Sequence, residues 1–138
     1  MTRYFDVEAA NEALVEVSPL LATLADQRAE LIRLRDRTLA TSATSGGGPA
    51  DDQDREEGRL LRLRMQGVID QMTAAVARID SLGITLRDIE RGLIDFPALA
   101  PAPRRPVWLC WELGESEVAF WHELETGFGS RRPLIELT

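Results

Sequence analysis

The sequence predicts an α+β fold: a long antiparallel helical hairpin packed on a small antiparallel β-meander, in one domain over residues 1–138. Three observations carry this. Apolar residues recur at alternating three- and four-residue spacing through the first 82 residues, with one Gly-rich interruption. After Gly83 the spacing falls to two, the period of a strand. Turn-forming residues then punctuate short runs, as hairpin-connected strands require. A chain of 138 residues suits one domain and can bury a core without staples.

The elements follow in order. Asp6 before Val7-Glu8-Ala9-Ala10 reads as a helix N-cap. Ser18-Pro19 reads as a second cap with Pro at the first helical position. This predicts a short helix to Val17, a kink, and a long helix from Pro19 to about Ala40. Its inward positions are Val17, Leu20, Leu24, Gln27, Leu31, Leu34 and Thr38, a seam broken by two polar residues. Residues 41–52 have no apolar period and three consecutive Gly, so they read as a flexible connector. A second helix runs from about Asp54 to Leu82 on an unbroken seam of Leu61, Met65, Val68, Met72, Ala75, Ile79 and Leu82. Gly83 is its stop, and the hairpin occupies 6–82. Arg and acidic residues alternate toward the hairpin tip and read as a solvated, salt-bridged face.

Residues 83–138 form the meander and a tail. Residues 84–89 and 92–96 read as strands joined through Glu90-Arg91-Gly92. Pro97 to Pro106 holds four Pro and reads as a loop. Val107 to Leu113 is a third strand, and Gly114-Glu115-Ser116 turns into a fourth, Glu117 to Leu124. Pairing Leu113 with Glu117 sets Glu112 opposite Val118, Cys110 opposite Phe120 and Trp108 opposite His122, all on one face. Val107, Leu109, Trp111, Ala119, Trp121 and Glu123 take the other face. Both faces are largely apolar. The hairpin covers one, and the tail, the Pro-rich loop or a second subunit must cover the other.

Composition narrows the function. With 16 basic and 23 acidic residues the net charge is −7, which argues against nucleic-acid binding through phosphate contacts. All 16 basic residues are Arg, so lysine Schiff-base and P-loop chemistry are excluded. One Cys rules out an internal disulfide and any multi-Cys metal cluster within one chain. No apolar run approaches the roughly 20 residues of a membrane span, and the opening residues, acidic by Asp6, do not read as a signal peptide. The expected setting is the reducing cytoplasm. Gly46-Gly47-Gly48 lacks the flanking elements of a phosphate loop, so no nucleotide cofactor is expected.

Several segments share a pattern. They are Arg3-Tyr-Phe-Asp-Val-Glu-Ala-Ala-Asn (3–11), Asp88-Ile-Glu-Arg-Gly-Leu-Ile-Asp-Phe-Pro (88–97), Leu109-Cys-Trp, Gly114-Glu115, Phe120-Trp-His-Glu (120–123), Gly127-Phe128 and Arg131-Arg132-Pro133-Leu134. In this order and spacing the chain resembles the prokaryotic family catalogued as domain of unknown function 2203. The resemblance implies a small cytoplasmic protein with a long helical hairpin and a small sheet. It carries no activity to transfer.

The chemistry-bearing residues concentrate at 95 and in 108–132. His122 among aromatics should be desolvated, which favours the neutral imidazole; it reads either as a hydrogen-bonded core residue or as a general base or metal ligand. Asp95 within Leu93-Ile94-Asp95-Phe96 calls for a partner or a role. His122, Glu123 and Asp95 are therefore the candidate acid–base residues. Arg131, Arg132 and Trp108 are the candidate binding residues for a small anion, with a salt bridge to Asp95 or Glu123 as the alternative for the Arg pair. His122, Glu115 and Glu123 are the candidate ligands of a divalent metal, against exposed strand-edge acids. His122-Glu123 lacks the second His of a zinc-protease helix, since Thr126 stands there. Cys110 reads as a buried hydrophobe rather than a nucleophile.

The expected function is thus a cytoplasmic protein binding a small molecule or divalent metal, with acid–base or metal-dependent catalysis as the reaction class. The alternative is a non-catalytic hairpin module that oligomerises. A symmetric homodimer is expected in either case, because one hairpin leaves one sheet face to cover.

Overall fold

The structure, a computed structural model, describes residues 2–44 and 52–137. Two helices, α1 (Val7–Thr44) and α2 (Asp52–Ser81), precede five strands: β1 (Thr85–Asp88), β2 (Leu93–Pro101), β3 (Arg104–Glu112), β4 (Phe120–His122) and β5 (Arg132–Pro133). The strands lie in sequence order, each antiparallel to its neighbours. The architecture is α+β, a helical hairpin with a meander.

The Asp6 carboxylate accepts the Ala9 N–H at 2.7 Å, capping α1 as its position predicts. Pro19 does not open a second helix; it lies inside a continuous α1. Its missing N–H frees the carbonyl of Val15, and both Pro19 and Val15 lie on the exposed side of the helix, where a break in the ladder costs least. α1 also runs past Ala40 into the predicted connector, of which residues 45–51 lie outside the described residues.

The two seams meet as their spacing demands. Val17, Leu24, Leu34, Leu61, Val68 and Ile79 are buried. The polar break at Gln27 is bridged, its amide donating to Gln71 at 3.0 Å. Thr38 donates to the Leu34 carbonyl at 2.9 Å. The helices run antiparallel, since Glu16 pairs with Arg78, Glu30 with Arg64 and Arg37 with Glu57. Near the sheet the hairpin joins the main core of Phe5, Leu21, Ile94, Phe96, Leu109, Trp111 and Trp121. Further out only a small cluster of Leu34, Leu61 and Val68 holds it.

The Pro-rich stretch is not a loop. β2 and β3 continue through it, with Pro97 opposite Trp108 and Leu99 opposite Pro106. The Pro97 carbonyl accepts the Phe5 N–H at 2.7 Å, so that residue's backbone polar side faces away from β3. By alternation Pro101 faces the same way, and Pro106 faces away from β2 beyond the end of β4. The absent N–H groups therefore cost the β2–β3 ladder nothing. Gly92 makes the turn before β2 at φ 62°, where an added Cβ would lie 2.5 Å from that of Leu113.

The predicted register of β3 against β4 holds: Trp108 pairs with His122, Leu109 with Trp121 and Cys110 with Phe120. It does not extend to the predicted Leu113–Glu117 pair, because β4 begins only at Phe120. The chain before it turns toward the helices, where the Val118 N–H donates to the Asn11 side chain at 2.7 Å and Val118 joins the core. Val118 thus lies on the helix side, not beside Cys110. The tail supplies β5 and the cover over the second sheet face.

Candidate functional site

Period-two alternation gives β2, β3 and β4 two faces. Ile94, Phe96, Leu109, Trp111 and Trp121 pack in the helix-facing core. Between them in sequence, Asp95, Cys110 and His122 point the other way and are equally buried, at 3%, 1% and 2% exposure. The register sets Asp95 opposite Cys110 and His122 one diagonal step away. Leu124, Thr126, Gly127 and Phe128 from the tail and Arg87 from β1 wall a pocket of about 330 Å³ over these three.

The hydrogen bonds of His122 fix its chemistry. Nδ1 lies 2.9 Å from the Glu123 carbonyl oxygen. A carbonyl only accepts, so Nδ1 carries a hydrogen. Nε2 lies 3.1 Å from both carboxylate oxygens of Asp95. A neutral ring with its hydrogen on Nδ1 would aim the Nε2 lone pair at a carboxylate. That contact is repulsive unless a cation sits between the two groups. At this distance the contact is a hydrogen bond only when a proton lies between Nε2 and the carboxylate.

Asp95 has two further partners. Arg87 Nε donates to Oδ2 at 2.9 Å, and the Cys110 thiol hydrogen-bonds to the same carboxylate. Burial, then the negative charge of Asp95, pushes the Cys110 thiol up to about 12. It is therefore protonated at neutral pH and is no free nucleophile. Arg87 is itself held, its guanidinium 4.8 Å from the centre of the Trp108 ring. Arg87 lines the pocket, and its hydrogen bond to Asp95 uses Nε, not Nη.

The other predicted residues divide differently. Glu123 contributes its backbone carbonyl to His122, but its carboxylate pairs with Arg105 at 2.5 Å. Those hydrogen bonds hold the Glu123 carboxyl below its ordinary value. Glu115 accepts the Glu112 N–H at 2.7 Å and pairs with Arg131. Asp95, Cys110 and His122, not His122, Glu115 and Glu123, are the metal-ligating types that lie together among the described residues, their donor atoms within 4.8 Å of one another. Arg131 stacks on Phe120 and Phe128 at 3.8 and 4.4 Å, and Arg132 lies over Trp121 at 5.5 Å. Neither reaches Asp95; Arg87 takes that place. Arg87 was legible in principle, since Ile84 and Leu86 mark the core side of their run and leave Thr85 and Arg87 on the Asp95 side. Arg91 and Arg131 both lie over the Phe128 ring, at 4.2 and 4.4 Å, which anchors the tail as the pocket wall.

No curated protein and no solved structure matches this sequence. No helix among the described residues is long and apolar enough to cross a membrane. Residues 3–134 match the family described as "Uncharacterized conserved protein (DUF2203)", and with nearly the whole length covered the chain belongs to that family.

Proposed function

We propose that this protein binds a small anionic molecule in the pocket over Asp95, Cys110 and His122, and that the Asp95–His122 pair exchanges a proton with it. The observation that carries this reading is the placement of His122, with Nδ1 tied to a backbone carbonyl and Nε2 facing Asp95 at the pocket floor. A proton so held is available to a ligand in the pocket, which is what general acid–base chemistry needs. The Nη donors of Arg87 supply the anion contact and a fixed geometry for a carboxylate or phosphate. The single buried Cys110 suits a reducing cytoplasm. A thermal-shift panel of small carboxylates and inorganic phosphate tests the reading. At least one should stabilise the wild type, and Arg87→Leu should remove that response. No response from any anion overturns it.

A second reading, a hairpin module that forms a homodimer, is favoured by Leu39, Leu60 and Leu63, which are 61%, 52% and 57% exposed on the thin outer part of the hairpin. Light scattering at micromolar concentration separates the two: a monomer removes this second reading.

A further inference from the structure

We infer that Asp95, Cys110 and His122 form a site for one divalent ion of the zinc type. The inference goes beyond the anion reading and rests on the three floor residues alone; an ion on Nε2 and Asp95 would replace the proton exchange of that reading and leave its Arg87 anion contact in place.

Three features support it. Carboxylate, thiol and imidazole suit a borderline ion such as Zn²⁺, and three protein ligands leave a fourth position toward the pocket. The Nδ1–H donated to the Glu123 carbonyl is the outer contact that fixes a metal-binding imidazole and directs Nε2 at the ion. The donor atoms are all within 4.8 Å of one another, while bonds of about 2.0–2.3 Å at tetrahedral angles separate ligand atoms by roughly 3.3–3.6 Å. Side-chain shifts of about an ångström close that difference.

The charges balance in the loaded site. A thiolate and a carboxylate each contribute one negative charge, the imidazole is neutral, and the ion's two positive charges bring the sum to zero. The thiol proton leaves to solvent as the sulfur–metal bond forms, and Arg131, with Nη1 3.9 Å from Sγ, favours the thiolate.

The test uses the full chain purified without an affinity tag. Zn²⁺ is titrated calorimetrically in two buffers of different ionisation heat, and Co²⁺ is followed by absorption. The expected result is one ion per chain, release of at least the thiol proton on loading, and a near-ultraviolet cobalt–thiolate band. Cys110→Ser should abolish the band and weaken Zn²⁺ binding by more than the roughly 100-fold that marks the upper end for outer-contact changes. Glu115→Gln and Glu123→Gln should leave it unchanged. Absence of stoichiometric Zn²⁺ binding or of the cobalt–thiolate band in the wild type overturns the inference without reference to any variant. So does a band that survives in Cys110→Ser. Because no anion is present, failure here leaves the anion reading standing, and failure of the anion panel leaves this one.

Discussion

The two faces of the sheet are built from the same three strands, yet they hold opposite chemistry. On the helix side, Ile94, Phe96, Leu109 and Trp121 are sealed by apolar side chains. One residue along each strand, Asp95, Cys110 and His122 are sealed just as completely, but by one another, Arg87 and the tail. Burial alone therefore does not separate core from site. What separates them is how the buried groups are satisfied. An apolar face needs only contact area. A polar face needs every donor and acceptor placed, because an unpaired buried charge costs several kcal/mol. The first face tolerates approximate packing, while the second needs each donor set against an acceptor.

That contrast can be broken or sharpened by substitution. The largest effect should come from the helix side. Phe96→Ala, which empties a fully buried position against Phe5, should destabilise the fold by about 3–5 kcal/mol in denaturant titrations. If the site still binds its anion at low temperature, the two faces are separable. His122→Gln comes next. An amide can replace one hydrogen bond but does not titrate near neutral pH, so stability should fall by about 1–3 kcal/mol while the proposed anion-induced thermal shift and the proposed metal binding vanish. Binding that falls only in step with stability would make His122 a core residue.

The third effect is pH-dependent. The Cys110 thiol is raised in the fold to about 12 from the ordinary value of 9.0. The folded state therefore holds this proton more tightly than the unfolded state does. The contribution is full below about pH 9 and is lost as pH rises toward 12. Melting temperature should decline through that alkaline window, and Cys110→Ala should flatten the decline without changing its slope below pH 9. The smallest effect should come from the hairpin surface. Arg59→Ala breaks an exposed i,i+3 pair with Glu56 and should leave the melting curve unchanged within repeat scatter. A measurable loss there would mean the outer hairpin packs against something in solution.

The residues themselves determined a good part of this protein. The four-three seams fix both helices and their pairing, because helix period and side-chain size are local properties. Period two after Gly83 marks the sheet, and the expected pairing of Trp108 with His122 holds although the Leu113–Glu117 pair it is counted from does not form. Asp95 and His122 stand out as polar residues in apolar runs, and the structure brings them together. Pro19 and the Pro97–Pro106 stretch misled, because a proline breaks an element only when its missing N–H faces a partner, and that direction is set by neighbours. Glu115 and Glu123 are expected beside His122 as metal ligands, and Arg131 on an anion or on Asp95 or Glu123, yet Glu115 pairs with Arg131 and Glu123 with Arg105. Only the tertiary structure decided that Arg87, not Arg131, meets Asp95, that Cys110 belongs to the site, and that the tail closes over it. Ion pairs and pocket walls join residues far apart in sequence, at distances that loop paths determine, so no local period encodes them.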